Sequence, residues 1–237
     1  MKTKIQKASE RGNANFEWLN SNHSFSFGHF YDATKMHFGA LRVLNDDVVT
    51  GGQGFGAHGH DNMEIISIPL KGALAHKDST GTDGIIQTGD VQIMSAGSGI
   101  KHSEFNASKT EEVNFLQIWV LPKQQNIKPR YEQKTFSAAN RKNKWQTVVS
   151  PDENADSVWI NQDAVFSLAH AEKDATIIYK NKFNGNGVYL FIIEGDAEVN
   201  GETLHKRDAM EISDADEFEI RATTNADLLA IEVPMLK

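Results

Sequence analysis

The sequence predicts an all-β protein that consists of two similar sandwich or barrel domains with few short helices. Short runs rich in branched and aromatic residues recur along the chain, and clusters of Gly, Asn, Asp and Ser separate them. No long stretch has the periodicity of a helix, so alternating βαβ units are not expected. The second observation is an internal repeat, in which one strand pattern occurs twice within the 237 residues.

The predicted strands and turns alternate in the way that is typical of sandwiches and barrels. Strands are predicted at residues 38–44, 63–70, 91–95, 115–121 and 188–193. Turn signals lie at residues 45–47, 79–84, 152–154, 184–187 and 200–201. One short helix is predicted at residues 137–141.

The internal repeat relates residues 63–96 to residues 188–222. Each copy has an apolar strand, a charged residue and a glycine, an alternating strand, a tight turn, and an aspartate that leads into another apolar strand. The matched positions are Gly72 with Gly195 and Asp90 with Asp208. The second copy is shorter between these positions, and a two-residue hairpin turn at Asn200 and Gly201 explains the difference.

The repeat divides the chain into two domains. We predict a metal-binding N-terminal domain at residues 1–130 and a C-terminal domain without metal ligands at residues 131–237. The connection is expected within residues 122–150, a polar stretch with prolines at positions 122 and 129. The length of the chain suits two modest domains with a buried core.

The composition excludes several classes of site and partner. The chain contains no cysteine, so disulfides, thiolate metal sites and cysteine nucleophiles are excluded, and a reducing cytoplasm is the predicted location. The net charge is -8 and no segment concentrates Lys and Arg, so direct binding to nucleic acid or to an anionic membrane is not expected. No apolar run reaches the roughly 20 residues of a membrane helix. A small molecule or a protein is the expected partner.

Two pairs of metal-binding side chains lie in the first domain. His58 and His60 are two residues apart, and His102 and Glu104 have the same spacing. Since alternate residues of a strand point to the same face, each pair presents two donors together, and neighbouring strands would bring all four to one place. Three imidazoles and a carboxylate suit iron(II), manganese, nickel, cobalt, copper or zinc, and disfavour calcium and magnesium. An open coordination position would let such a metal bind a substrate or dioxygen.

The second copy of the repeat lacks these donors. The positions that match them by their offsets from the repeat glycine and aspartate are Asn181, Phe183, Ile220 and Ala222. None of these is a histidine or a carboxylate, and residues 123–237 contain only two histidines, His170 and His205. The sequence therefore predicts one metal site, in the first domain.

The same residues resemble the two motifs of the cupin superfamily. The first motif matches at Gly52, His58, His60 and Glu64, and the second at Gly89, Gly97, His102 and Asn106. Ser95 replaces the proline of the second motif, and two additional residues precede its histidine. The stretch QIMSAGSGIKHSEFN resembles the pirin branch of the superfamily. Segments along the whole chain are similar to bacterial pirin-type proteins with two cupin domains, above all those described as quercetinases.

The resemblance implies an all-β fold of two cupin-type barrels and one divalent metal, iron(II) first, held by His58, His60, His102 and Glu104. The resemblance leaves the role of Glu64 open. In many cupins the glutamate of the first motif is a metal ligand, whereas in pirins the carboxylate two residues beyond the third histidine takes that place. We expect Glu64 to support the site, hydrogen-bonded near a ligand histidine. The resemblance also implies a flavonol 2,3-dioxygenase. In that reaction Glu104 removes the proton of the 3-hydroxyl group, dioxygen opens the central ring, and carbon monoxide is released.

Two other functions remain open at this point. Pirins are also associated with transcriptional co-regulation and with binding to metabolic enzymes, so a metal-dependent regulatory protein with a protein partner is one alternative. The other alternative keeps the metal site but assigns it a different enolic or phenolic substrate. All three interpretations predict the same metal ligands.

Several residues near the predicted site have simpler interpretations. His76 is predicted to be a structural or surface histidine. His23, His29 and His37 belong to an N-terminal aromatic segment that is expected to pack against a sheet, with one or two of them on a pocket wall. Phe55 is a candidate for the same wall, in a glycine-rich stretch that lacks the lysine of a phosphate-binding loop.

Overall fold

A computed structural model describes residues 1–236 and confirms the all-β prediction. Two short 3-10 helices accompany the strands, at Ala8–Glu10 and Ala138–Arg141, so the helix predicted at residues 137–141 is a single 3-10 turn. Within the described residues, no helix has both the length and the apolar character needed to span a membrane.

The first half of the chain, through residue 135, has twelve strands and the second half has ten. Those of the first half are β1 Lys2–Gln6, β2 Gly12–Asn15, β3 Leu19–His23, β4 Leu41–Val49, β5 Gly54–His60, β6 Glu64–Lys71, β7 Ala73–Asp78, β8 Asp83–Gln87, β9 Asp90–Ser95, β10 Ile100–Asn106, β11 Val113–Val120 and β12 Arg130–Thr135. Those of the second half are β13 Gln146–Ser150, β14 Val158–Trp159, β15 Val165–Ala171, β16 Thr176–Lys180, β17 Asn186–Glu194, β18 Ala197–Val199, β19 Glu202–Leu204, β20 Ala209–Ser213, β21 Glu217–Ala222 and β22 Ala226–Pro234.

The two barrels have the same strand order. The first combines a seven-stranded sheet, β12-β9-β6-β11-β4-β3-β2, with a four-stranded sheet, β5-β10-β7-β8. The second combines β1-β20-β17-β22-β15-β13-β14 with β16-β21-β18-β19. The orders correspond except at one edge, where β2 pairs antiparallel with β3 but β14 pairs parallel with β13. This shared order is the structural form of the internal repeat.

The two barrels exchange edge strands. β1, at the N-terminus, pairs with β20 of the second barrel, and β12, from the connection, pairs with β9 of the first barrel. The division predicted between residues 130 and 131 therefore falls inside β12, and residues 2–6 contribute to the sheet of the second barrel. The exchange covers β9 and β20, whose N–H and C=O groups would otherwise form an open sheet edge.

The apolar clusters differ between the two barrels. The seven-stranded sheets pack on each other through one large cluster that contains Leu116 from the first barrel and Phe166 from the second. The interior of the second barrel is a single apolar cluster. The interior of the first barrel has two smaller clusters, one with Phe115 and one with Ile65, and several buried polar side chains. Because buried polar groups cost free energy unless they are paired, this polar interior is the place to look for a functional site.

One of the predicted turns is wrong. Asn45, Asp46 and Asp47 do not separate two strands but lie inside β4, and all three side chains are buried. Arg207 forms an ion pair with Asp46, 2.8 Å from nitrogen to oxygen, and Ser21 donates a hydrogen bond to Asp47. Partners from other strands satisfy the two carboxylates, so strand pairing overrides the local turn preference.

Gly195, between β17 and β18, allows a close backbone contact. Its φ is +77°, and an added Cβ would lie 2.0 Å from the carbonyl oxygen of Asn225. Gly201, in the Asn-Gly turn between β18 and β19, has a φ of +78° but no neighbouring atom within 4 Å of such a Cβ.

We expect Gly195→Ala to lower the free energy of unfolding by about 3 kcal/mol or more, because overlap adds to the backbone strain. Gly201→Ala is the matched control and should cost about 1 kcal/mol, since only the strain applies. Urea denaturation of both variants gives the comparison. Equal losses in the two variants would contradict the close contact at Gly195.

Candidate metal centre

β5 and β10 bring the three predicted histidines together. The two strands are antiparallel neighbours, with His58 opposite His102 and His60 opposite Ile100. The centroids of the three imidazole rings are between 4.4 and 4.9 Å apart. One ring nitrogen of each histidine lies within 4.8 Å of the others. The spacing of two residues within each pair therefore places the rings on one side of the two strands.

The ring orientations suit a shared cation. The Nδ1–H of His58 donates to the carbonyl oxygen of Gly56, 2.8 Å away, which leaves Nε2 as an acceptor. The Nε2 atoms of His60 and His102 are 3.0 Å apart. Two nitrogens bound at right angles to one metal ion, at about 2.1 Å each, would lie about 3.0 Å apart. The three histidines therefore fit a divalent metal.

The protonation states of the buried histidines also suit metal binding. Burial, with the neighbouring His58, lowers the pKa of His60 to about 4. Burial, with the neighbouring imidazoles of His58 and His60, lowers the pKa of His102 to about 3. Both rings are therefore neutral at pH 7, and a neutral ring offers the lone pair that a metal requires.

Glu104 lies next to the three histidines and not within the same close group. Its carboxylate forms a second donor group with His76 and His102, whose donor atoms lie within 4.8 Å of one another. The pairing of β5 with β10 shifts register between His102 and Glu104, and such irregularities change the direction of side chains. His102 belongs to both groups, so the four predicted ligands adjoin one another around its ring.

Two side chains of the seven-stranded sheet hold the Glu104 carboxylate. Ser67 Oγ–H donates to Oε1 at 3.0 Å, and Gln117 Nε2–H donates to Oε2 at 2.7 Å. Burial raises the pKa of Glu104, and nearby His76 together with these hydrogen bonds reduces the shift. A carboxylate with a raised pKa binds a proton more readily, which suits a general base.

Ser67 and Gln117 were not predicted to take part in the site. Each is a single polar residue within an apolar strand, in the stretches EIISIPLK and VNFLQIWV. A polar side chain at a buried position requires a hydrogen-bond partner, so this pattern was the available signal.

His76 is a buried histidine with an ordered partner. Its Nε2 lies 3.0 Å from Asp78 Oδ2, and Asp78 also accepts hydrogen bonds from the N–H and the hydroxyl of Thr80. His76 Nδ1 is buried without a hydrogen-bond partner. A carboxylate behind the ring fixes its orientation, so His76 presents a fixed edge beside Glu104.

Glu64 does not support a ligand histidine, in contrast to the expectation from the sequence. It is fully buried, and its Oε2 accepts hydrogen bonds from the Ser95 hydroxyl at 2.8 Å and from the Asn161 N–H at 3.2 Å. Asn161 belongs to the second half of the chain, so Glu64 joins the two halves. Ser95, which replaces the proline of the second cupin motif, supplies one of these bonds.

The second barrel has apolar side chains where the first has its donors. β16 and β21 correspond to β5 and β10, and their inward residues are Ile177, Tyr179, Phe218 and Ile220. The positions 181 and 183 matched by sequence offset lie beyond the end of β16, whereas Ile220 and Ala222 lie on β21 as expected. Among residues 1–236, both donor groups lie in the first barrel.

A cavity of about 250 Å³ opens onto the site. Four aromatic side chains, Phe16, Phe27, Phe55 and Trp119, line it together with the donors His58 and Glu104. From the N-terminal segment, His23 and His29 also line this cavity, and His37 lines a separate surface depression. An apolar wall with a few polar groups at one place is typical of a small-molecule site.

Asp47 is a buried carboxylate on the wall of this cavity. Burial raises its pKa from 3.8 to about 7, while the hydrogen bond from Ser21 opposes the shift. Between about pH 4 and pH 7 the unfolded chain releases a proton that the folded protein keeps. The free energy of unfolding therefore falls as the pH rises through this range, by at most about 4 kcal/mol.

Asp47→Asn should remove this cost, because asparagine is uncharged and keeps an acceptor for Ser21. In chelator-treated protein we expect the variant to gain about 2 kcal/mol over the wild type at pH 8 and less at pH 5. Urea denaturation at both pH values measures this. Asp46→Asn is the control and should destabilise at both, since it removes the ion pair with Arg207. A loss for Asp47→Asn that is the same at both pH values would contradict the raised pKa.

Known proteins are similar to this chain along nearly its whole length. A family model described as Pirin matches residues 4–120, and a model described as the quercetinase C-terminal cupin domain matches residues 147–233. A protein of Escherichia coli (strain K12) named quercetin 2,3-dioxygenase is 40% identical over 97% of this chain and 98% of its own length. A pirin-like protein of Caulobacter vibrioides is 38% identical over 93% of this chain and 95% of its own.

A solved structure is similar in both barrels. The crystal structure of the bacterial pirin YhhW from Escherichia coli, in complex with nickel(II), has a TM-score of 0.93 at 38% identity and covers 99% of this chain and 100% of that one. The resemblance to a pirin-type protein with two cupin barrels is thereby confirmed. The chain belongs to the pirin family.

Proposed function

We propose that the chain is a metal-dependent dioxygenase that opens the central ring of flavonols such as quercetin and releases carbon monoxide. The observation that carries the proposal is the position of three histidines and Glu104 beside an aromatic-lined cavity. Relatives of similar length that are named quercetin 2,3-dioxygenase support it.

His58, His60, His102 and Glu104 would hold one divalent transition metal in the first barrel. These nitrogen and oxygen donors suit iron(II), manganese, nickel, cobalt, copper and zinc. We place iron(II) first, since a reducing cytoplasm, the predicted location, keeps iron divalent. The bound metal supplies a Lewis acid that orients and polarises the 3-oxygen of the flavonol.

Glu104 would act as the base for the 3-hydroxyl group. Its raised pKa makes it a proton acceptor, and Ser67 and Gln117 hold the two carboxylate oxygens in place. The proton stays on the carboxylate while the electron-rich flavonolate reacts with dioxygen. Dioxygen adds to the central ring, which opens and releases carbon monoxide.

The cavity walls would orient the rings of the substrate and exclude water. Phe27 packs edge-on against Trp119, with centroids 5.3 Å apart, and Trp119 packs against His60 at 4.9 Å. These contacts connect the aromatic wall directly to the histidines. A flat aromatic substrate on this wall therefore lies next to the metal donors.

Reconstitution with single metals tests the proposed activity. Chelator-treated protein is loaded separately with iron(II), manganese, nickel, cobalt or copper and mixed with quercetin in air. We expect loss of flavonol absorbance, together with carbon monoxide, for at least one metal. Absence of turnover with every metal, in protein that has bound the metal, would rule out the dioxygenase.

A further inference from the structure

A row of polar side chains crosses the inner face of the first barrel's seven-stranded sheet. Cross-strand pairing connects its members one by one across five strands. In order from β3 to β9, the row consists of His23, Asn45, Gln117, Ser67 and Gln92. Each of these side chains is at least nine-tenths buried.

The proposed mechanism uses only part of this row. Gln117 and Ser67 hold Glu104. His23 and Asn45 form no hydrogen bond with Glu104. Each has a buried polar atom without a partner, Nδ1 of His23 and Oδ1 of Asn45. A buried polar group without a partner costs free energy, so two of them on neighbouring strands indicate that a ligand supplies the missing hydrogen bonds.

The rest of the His23 side chain is fixed. Its Nε2 lies 2.8 Å from Ser21 Oγ, and that hydroxyl is hydrogen-bonded to Asp47. The ring also packs edge-on against Phe27, with centroids 5.3 Å apart. His23 Nδ1 is therefore held in one direction without a partner of its own.

His23 and Asn45 line the same cavity as Glu104. Neighbouring strands lie about 4.8 Å apart, so two strand spacings, about 10 Å, separate Gln117 on β11 from His23 on β3. The row thus extends along the cavity floor from Glu104 towards its other end, on the scale of a molecule with several rings.

The second barrel has the same strand order but a different row. Met210, Leu190 and Ala230 stand at the positions of Gln92, Ser67 and Gln117. At the positions of Asn45 and His23 it has the small hydroxyl side chains of Ser167 and Thr147. The larger side chains of Asn45 and His23, with their unpaired atoms, are therefore a feature of the first barrel and its cavity.

We propose that His23 and Asn45 bind a phenolic hydroxyl group of the substrate, at the end remote from the metal, and so select hydroxylated flavonols. The inference rests on the proposed function, in that Glu104 and the metal take the other end of the same molecule.

A neutral hydroxyl group fits this place better than other groups. It donates its proton to one of the two unpaired acceptors, His23 Nδ1 or Asn45 Oδ1, and its oxygen can accept a hydrogen bond from the amide Nδ2–H of Asn45. An anionic group would lie close to Asp47, where burial already disfavours negative charge. A purely apolar ring would bury the unpaired atoms of His23 and Asn45 further, and such sites discriminate strongly against ligands that lack the hydroxyl group.

Binding of two flavonols to metal-loaded protein without dioxygen tests the proposal. Quercetin has ring hydroxyl groups besides the 3-hydroxyl, and 3-hydroxyflavone has none. By calorimetric titration, we expect the wild type to bind quercetin at least about tenfold more tightly. In His23→Phe and in Asn45→Leu this ratio should fall to about threefold or less, mainly through weaker binding of quercetin.

His37→Phe is the matched control, since His37 is in the same N-terminal segment but outside the cavity, and it should keep the wild-type ratio. If one of the two test variants unfolds, the other provides the comparison. A wild-type ratio near one, or an unchanged ratio in a folded test variant, overturns the inference.

The same samples, exposed to air, separate this inference from the proposed activity. If the protein binds quercetin more tightly than 3-hydroxyflavone but turns over neither with any metal, the recognition site is retained and the dioxygenase is rejected. Turnover of both flavonols at equal efficiency, with equal affinities, would retain the dioxygenase and reject the recognition site.

Discussion

Replacing Glu104 with glutamine is expected to lower the turnover of quercetin by at least about 100-fold, which is the usual contribution of a general base. Glutamine has nearly the same shape but cannot take the proton of the 3-hydroxyl group. The three histidines remain, so most of the bound metal should remain as well. Initial rates at saturating quercetin, and metal content measured on the same samples, test both statements.

The exposed Glu112 provides the control for this substitution, since Glu112→Gln makes the same chemical change outside the cavity. It should leave turnover and metal content unchanged. Activity of Glu104→Gln within about tenfold of the wild type would show that another group removes the proton. A loss of metal in step with the loss of activity would show that Glu104 acts through metal binding alone and would leave no evidence for a base.

Replacing His102 with alanine is expected to abolish stable metal binding. His102 is buried and belongs to both donor groups, so its loss removes a nitrogen from each. We expect the affinity to fall by far more than the 10- to 100-fold that loss of a supporting hydrogen bond costs. Metal content after dialysis, compared with the wild type, measures the effect.

Two further variants make this prediction specific. His170→Ala, on β15 of the second barrel, removes a partly exposed histidine paired with Asp227 and should leave the metal content unchanged. His76→Asn should weaken binding less than His102→Ala, because His76 is already paired with Asp78. Full retention of metal by folded His102→Ala would place the metal elsewhere.

Much of the fold could be predicted from local patterns. Alternation and turn residues predicted the strands, and the repeat predicted two barrels of one design. The exchange of β1 and β12 could not be predicted, because edge pairing joins segments that are distant in sequence. The turn predicted at residues 45–47 failed for a related reason. Asp46 and Asp47 are paired with Arg207 and Ser21, which are distant in sequence, so the local pattern does not indicate these partners.

The candidate site divides in the same way. The spacing of His58, His60 and His102 was sufficient to predict that their rings meet, since alternate strand residues share a face. The partners of Glu104 and Glu64 depend on which strand lies opposite. The sequence therefore did not predict the hydrogen bond from Ser67 to Glu104. It also placed Glu64 near a ligand histidine, whereas Glu64 accepts a hydrogen bond from Asn161.

Titration of the metal-free protein with its most active metal tests the proposed centre most directly. The rate of carbon monoxide release from quercetin is followed as metal is added. We expect no activity without metal, and a rate that rises linearly with added metal and levels off at about one metal ion per chain. Among residues 1–236, the donor groups lie in the first barrel only. Activity in the metal-free protein, or a rate that continues to rise to two ions per chain, would contradict a single catalytic metal in the first barrel.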